Sequence, residues 1–128
     1  MSVTKRGQIF KCKVCGNIVE VLEVGGGTLV CCGQPMELMV EKSKEEGKEK
    51  HVPVIEKNAE GVIVKVGSIE HPMIAEHYIR WIEISTEKGV SKKFLKPGDK
   101  PEVKFPLKTD LKNISVRIYC NVHGVWKK

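Results

Sequence analysis

Beyond residue 51 the hydrophobic positions come in short runs rather than in helical stripes. The runs at 52–55, 62–66, 78–84, 90–95, 102–105, 114–119 and 125–126 are separated by turn-forming stretches at 58–61, 87–89, 97–98 and 121–124. The run YIRWIEI at 78–84 alternates between faces for most of its length, as a half-buried strand does. Short strands at this density, with regular turns, predict an immunoglobulin-like β-sandwich. No long amphipathic helix, internal repeat or low-complexity tract interrupts the pattern.

The stretch 9–36 reads differently. It has little apolar bulk and many punctuating residues: Cys12 and Cys15 before Gly16, the run Gly25, Gly26 and Gly27, then Cys31, Cys32, Gly33 and Pro35. So short a segment cannot bury a self-sufficient core and needs a metal or another cross-link. Strands at 18–24 and 28–30 are expected to form a hairpin over the triglycine turn. The decapeptide EKSKEEGKEK at 41–50 contains no apolar residue and intersperses both charges, which marks a solvated linker. The expected fold is therefore all-β: a small metal-bound β module at 1–38, a charged linker at 39–50 and a β-sandwich at 51–128.

Composition narrows the functions. With 128 residues, 41% hydrophobic and 30% charged, the chain has room for one domain plus a small module. No apolar run approaches the roughly 20 residues that a membrane helix needs. The opening MSVTKRGQIFKC has basic residues but no apolar core or cleavage site of a secretory signal, so a cytoplasmic location is expected. The net charge of +6 is spread along the chain without a dense basic run. A lysine-rich solvated surface that weakly steers small anions accounts for it, and no nucleic-acid partner is expected. In a reducing compartment the 5 cysteines are better explained as metal ligands than as disulfide partners.

Those cysteines fall into two sets. Cys12 and Cys15, with Cys31 and Cys32, supply four thiolates from two knuckles, as a small β-module does when it closes a tetrahedron around one ion. In the second pair, adjacency replaces the usual two-residue spacer. Neighbouring side chains in extended backbone diverge, so both reach one ion only if the chain bends there, and a distorted site is expected. Thiolates alone suit zinc or iron equally.

The remaining cysteine, Cys120, lies in the sandwich segment with all 4 histidines: His51, His71, His77 and His123. Cys120 and His123 share a knuckle, CNVHG, and Pro72 stiffens the turn that bears His71. His71 and His77 are too far apart in sequence to share a helix face and have to converge from a loop. Four imidazoles and a thiolate exceed the four ligands usual for structural zinc. A five-coordinate ion with an open sixth position suits redox chemistry on a small molecule, which favours iron.

The segment CKVCGNIVEVLEVGGGTLVCCGQPM resembles desulforedoxin and the N-terminal domain of desulfoferrodoxins, and EKHVPVIEK, HPMIAEHYIRWIE and CNVHGVW resemble the motifs of superoxide reductases. Together they cover nearly the whole chain. The resemblance implies two non-haem irons, one held by Cys12, Cys15, Cys31 and Cys32 as a one-electron relay. It implies a second, catalytic iron with His51, His71, His77 and His123 as equatorial ligands and Cys120 as the axial thiolate. Superoxide would take one electron there and leave as hydrogen peroxide. The resemblance further makes Lys50 the cation that attracts superoxide and orients a proton-donating water, and Glu49 the carboxylate that closes on the oxidised iron after peroxide departs. A rubredoxin-like donor and a homodimer are implied as partners.

Other residues are expected to serve structure. Asn17 serves the turn after the first knuckle, Trp81 and Trp126 fill the core and shield the iron, and Met36, Met39 and Met73 pack. Three competing functions make different predictions. A superoxide dismutase would evolve oxygen, a zinc-ribbon-like binding module would be colourless, and a pure electron carrier would lack an open coordination site.

Overall fold

Strand pairing divides the chain into two units, Met1–Val40 and Glu41–Lys128, in a computed structural model that describes residues 1–44 and 50–128. The first unit holds five short strands: β1 (Ile9–Lys11), β2 (Ile18–Glu20), β3 (Val30–Cys31), β4 (Gln34–Pro35) and β5 (Glu37–Leu38). β1 is central, paired antiparallel with β2 and with β5, so that Phe10 lies opposite both Val19 and Leu38. Val3, Phe10, Cys12, Val21 and Met36 are buried together, with Leu29, Cys31 and Leu38 packed against them. A core that counts a cysteine among so few buried side chains is too small to hold the unit alone.

The hairpin expected across the triglycine run does not form. β2 pairs with β1 instead, and β3 pairs with β4 through the turn Cys32-Gly33. Cys32 and Gly33 both have positive φ, +53° and +75°. Left-handed conformation at both central residues is the tight two-residue turn whose twist matches flanking strands, and it brings its own neighbours into register. Gly26 and Gly27, also left-handed at +83° and +74°, carry the chain back to the N-terminal segment, where the Val3 N–H donates to the Gly27 carbonyl at 2.8 Å.

In the second unit all seven expected strands appear: β6 (Pro53–Asn58), β7 (Gly61–Val66), β8 (Ile79–Thr86), β9 (Gly89–Phe94), β10 (Glu102–Phe105), β11 (Ser115–Cys120) and β12 (Gly124–Lys127). They form a three-stranded sheet, β10-β7-β6, and a four-stranded sheet, β12-β11-β8-β9. Val62, Val64 and Val66 of one sheet share a core with Ile82, Ile84, Val116 and Ile118 of the other, which makes a sandwich. Local chemistry sets the corners. The Asn58 side-chain oxygen accepts from the N–H groups of Glu60 and Gly61 at 2.9 and 3.0 Å, and Thr86 Oγ1 accepts from the Lys88 N–H at 3.1 Å.

β8 is buried on both faces rather than one. Ile82 and Ile84 enter the core, while Trp81 stacks on Tyr119 and Glu83, only 2% exposed, meets Arg117 through two bonds of 2.6 and 3.1 Å. The charged stretch before the sandwich also contributes structure. Glu41 accepts from Arg117 at 3.0 Å, and Lys42 bridges Trp126 as a parallel extension of β12. Their side chains find partners that composition could not reveal.

Candidate metal centres

In the first unit, β1 ends at Lys11 and Cys12 opens a tight knuckle. The N–H groups of Cys15 and Asn17 donate to the sulfurs of Cys12 and Cys15, each at 3.4 Å, and the Asn17 carbonyl accepts from the Cys12 N–H at 2.9 Å. Cys31 arrives at the end of β3. Cys32 reaches the same point because its φ of +53°, the one positive value outside glycine among the described residues, bends the chain as adjacency demanded.

The four sulfurs lie within 4.8 Å of one another, with Cys15 to Cys31 at 3.5 Å and Cys31 to Cys32 at 3.9 Å. Tetrahedral thiolates about 2.3 Å from one ion stand about 3.8 Å apart, so the spacing fits a metal. The N–H of Cys15 chiefly draws the Cys12 thiol down to about 6. Cys31 and Cys32 are pushed up, foremost by the shared Cys15 sulfur, Cys32 to about 12. Four sulfurs this close cannot all be thiolates without a cation among them.

The second set is built from four places in the sandwich. His51 precedes β6, His71 and His77 sit on the loop between β7 and β8, Cys120 ends β11 and His123 occupies the turn into β12. The loop closes on itself through reciprocal backbone bonds between Ile74 and His77 of 3.1 and 3.0 Å. Asn121 brackets His77: its side-chain oxygen accepts from the Tyr78 N–H at 2.9 Å and its amide donates to the Glu76 carbonyl at 3.1 Å. Between β11 and β8 the register slips after Tyr119, so Cys120 lies opposite Ile79. Such a bulge re-aims a side chain.

The rings close a square. Centroids are 4.8 Å apart for His51 and His71, 4.6 Å for His71 and His77, 5.0 Å for His77 and His123, and 4.7 Å for His123 and His51, all edge-on. Nε2 of His51 lies 3.1 Å from His123 Nδ1 and 3.2 Å from His71 Nε2. Nitrogens about 2.1 Å from a shared ion stand about 3 Å apart at right angles, which these distances match. The Cys120 sulfur is 3.4 Å from His71 Nε2 and 3.8 Å from His123 Nδ1, at opposite corners. Those lengths are too great for the middle of a ring whose donors all lie within 4.8 Å, so the sulfur sits to one side of it.

Two details test the fit to a metal. His71 Nδ1 donates to the Pro72 carbonyl at 2.7 Å, which leaves Nε2 as the bare lone pair facing inward. His77 Nε2 is buried with no hydrogen-bond partner, as befits a nitrogen whose partner is an ion. Burial, then the neighbouring imidazoles, lowers His51 to about 4, with Lys42 and Lys50 adding to the effect. Burial lowers His71 to about 4 as well and depresses His77, so these three are free bases at neutral pH. Burial raises the Cys120 thiol, against the N–H groups of His123 and Val122 and the charge of Lys42.

A family model described as Desulfoferrodoxin matches residues 43–128, and one described as Desulfoferrodoxin, N-terminal domain, matches residues 4–39. The chain belongs to the desulfoferrodoxin family. A desulfoferrodoxin of Nitratidesulfovibrio vulgaris is 60% identical over 121 residues, 94% of each chain. A desulfoferrodoxin homolog of Archaeoglobus fulgidus is 55% identical over 98% of each. The crystal structure of the superoxide reductase from Treponema pallidum superposes with a TM-score of 0.73 at 31% identity, covering 94% of this chain and 96% of that one.

The chain thus brings all nine expected metal ligands into two clusters, a four-cysteine centre and a centre of four histidines and one cysteine. Two non-haem irons per chain fit these donor sets. Lys50 lies partly buried beside His51, and its charge bears on both His51 and His77. Glu49 lies outside the described residues. Trp126 stacks on His51 at 4.6 Å with 14° between the rings, in keeping with a shielding role.

Asn121 and Gly67 carry no signal of their own in the sequence. A Cβ on Gly67 would come 2.5 to 2.6 Å from the Lys50 backbone, and its φ is +76°. Gly67→Ala is therefore expected to displace Lys50 and His51 together. Its oxidised absorption spectrum should shift and its reaction with superoxide should slow several-fold, measured by pulse radiolysis on iron-loaded protein. A spectrum and rate equal to the parent would show that the loop absorbs the clash.

Proposed function

We propose that this protein is a superoxide reductase: superoxide takes one electron and two protons at the four-histidine centre and leaves as hydrogen peroxide. The observation that carries the reading is the square of imidazoles with a fully buried thiol to one side of it and an exposed His123 at its rim. Iron held by His51, His71, His77, His123 and Cys120 would supply the electron and could take a small anion as a further ligand.

The chain's own residues do the rest. Cys120, Pro72 and Asn121 hold the donor set rigid, through ligation, the His71 tautomer and the bracket around His77. Trp126 covers one imidazole face and limits water there. Lys50 attracts the anion and orients the water that delivers a proton. Glu49, whose role rests on the resemblance alone, would be the carboxylate available to an oxidised iron held there. Glu49→Ala accordingly leaves the second-order rate with superoxide nearly unchanged but alters the oxidised spectrum; a spectrum identical to the parent at every pH would remove Glu49 from the site.

A rubredoxin-like carrier is the proposed donor, delivering one electron per turnover. The short sheet β2-β1-β5 presents edges that a second copy would cover, which supports a homodimer. A cytoplasmic setting agrees with free thiols arranged as ligands. Metal analysis with pulse radiolysis tests the whole reading. Two irons per chain, fast consumption of superoxide and peroxide without oxygen support it. Oxygen evolution would make the protein a dismutase, and a colourless zinc protein inert to superoxide would end the proposal.

A further inference from the structure

Lys42 stands in the charged stretch before the sandwich, yet it is held at several points. Its N–H donates to the Val125 carbonyl at 2.9 Å, and its carbonyl accepts from the Lys127 N–H at 2.8 Å. The backbone is thereby locked along β12. The side chain turns to the metal centre: Nζ donates to the carbonyl of the ligand His123 at 2.8 Å and lies 5.3 Å from the centroid of Trp126. Trp126 in turn donates its indole N–H to the same carbonyl at 3.2 Å and stacks on the ligand His51. One ammonium is thus tied to two iron ligands, to His123 directly and to His51 through an aromatic ring.

A cation over an aromatic face is attracted by the ring's quadrupole. Here that attraction and the bond to the His123 carbonyl act on the same ammonium. A positive charge fixed this close opposes the gain of positive charge when ferrous iron becomes ferric, and because Lys42 is exposed, water and salt screen part of the effect. We propose that Lys42 is a positioning residue of the four-histidine centre that clamps the Cys120–His123 knuckle and raises the reduction potential of the iron. The inference rests on the proposed presence of iron in that centre and adds a second cation whose task differs from that of Lys50. Lys50 acts on the arriving anion; Lys42 acts on the electron balance.

The test is a redox titration of the full iron-loaded chain and of Lys42→Met, Lys42→Gln and Lys42→Arg, with the four-histidine centre followed by its own absorption band. The Met and Gln variants are expected to shift the ferric–ferrous equilibrium about threefold to tenfold toward ferric, the upper limit corresponding to a potential about 59 mV lower. Lys42→Arg should keep most of the parent value, because it keeps the charge and a donor for the His123 carbonyl. A Met variant with the parent potential would overturn the proposal. So would an Arg variant that falls as far as Met, since the charge would then not be the cause. A parent protein with no reversible iron couple at this centre would instead refute the superoxide reductase reading itself, and the role of Lys42 with it.

Discussion

Glu83→Ala is expected to destabilise the sandwich by about 3–5 kcal/mol, with a fall in Tm of at least about 12 °C. Glu83 is 2% exposed in the middle of β8, and its carboxylate holds Arg117 through bonds of 2.6 and 3.1 Å and Lys92 at 3.3 Å. Arg117 also reaches Glu41 at 3.0 Å. Removing the central anion leaves a guanidinium with a side chain only 14% exposed that has lost its two-bond partner and keeps Glu41 among the described residues. The desolvated guanidinium left with weaker compensation, rather than the lost attraction, is the source of the cost. Glu83→Gln keeps two acceptor or donor groups in the same space and should cost less. Calorimetric unfolding of parent and variants at equal iron content measures this, because bound metal itself shifts Tm. A Glu83→Ala melting point within a few degrees of the parent would mean that water replaces the carboxylate.

Lys50→Ala is expected to slow the reaction with superoxide by tenfold or more and to flatten its dependence on salt. An ammonium about 4 Å from a superoxide anion contributes about 4 kcal/mol at an effective dielectric near 20, less where water intrudes. Even a third of that is about a factor of ten in rate. The charge of Lys50 already bears on His51 and His77, so it acts within the centre and not only on the distant field. Pulse radiolysis across a range of ionic strength reads both effects. Lys50→Arg should restore most of the rate and its salt dependence. A rate in the Ala variant equal to the parent would assign the attraction of superoxide to other cations.

How much of this was visible before any coordinates depends on how local each feature is. The strands of the sandwich follow from alternation and turn residues within a few positions, and β6 to β12 fall where the pattern put them. The metal ligands were legible from inventory and spacing, since two knuckles and a Cys120–His123 turn are short-range motifs. The hairpin of the small module was not. Its true turn, Cys32-Gly33, lacks the asparagine or aspartate that usually announces a left-handed pair, and the triglycine run drew the assignment away from it.

The chain by itself thus determined an all-β architecture, two donor sets and the softness of their ligands, because periodicity and residue type are properties of neighbours in sequence. Only the tertiary structure decided that the imidazoles stand in the order His51, His71, His77, His123 with Cys120 to one side, that Glu83 is buried against Arg117, and that Lys42 is tied to His123. Those facts join residues up to 81 positions apart. Their energies come from burial and from distances of a few ångströms, which exist only once the two sheets have closed on one core.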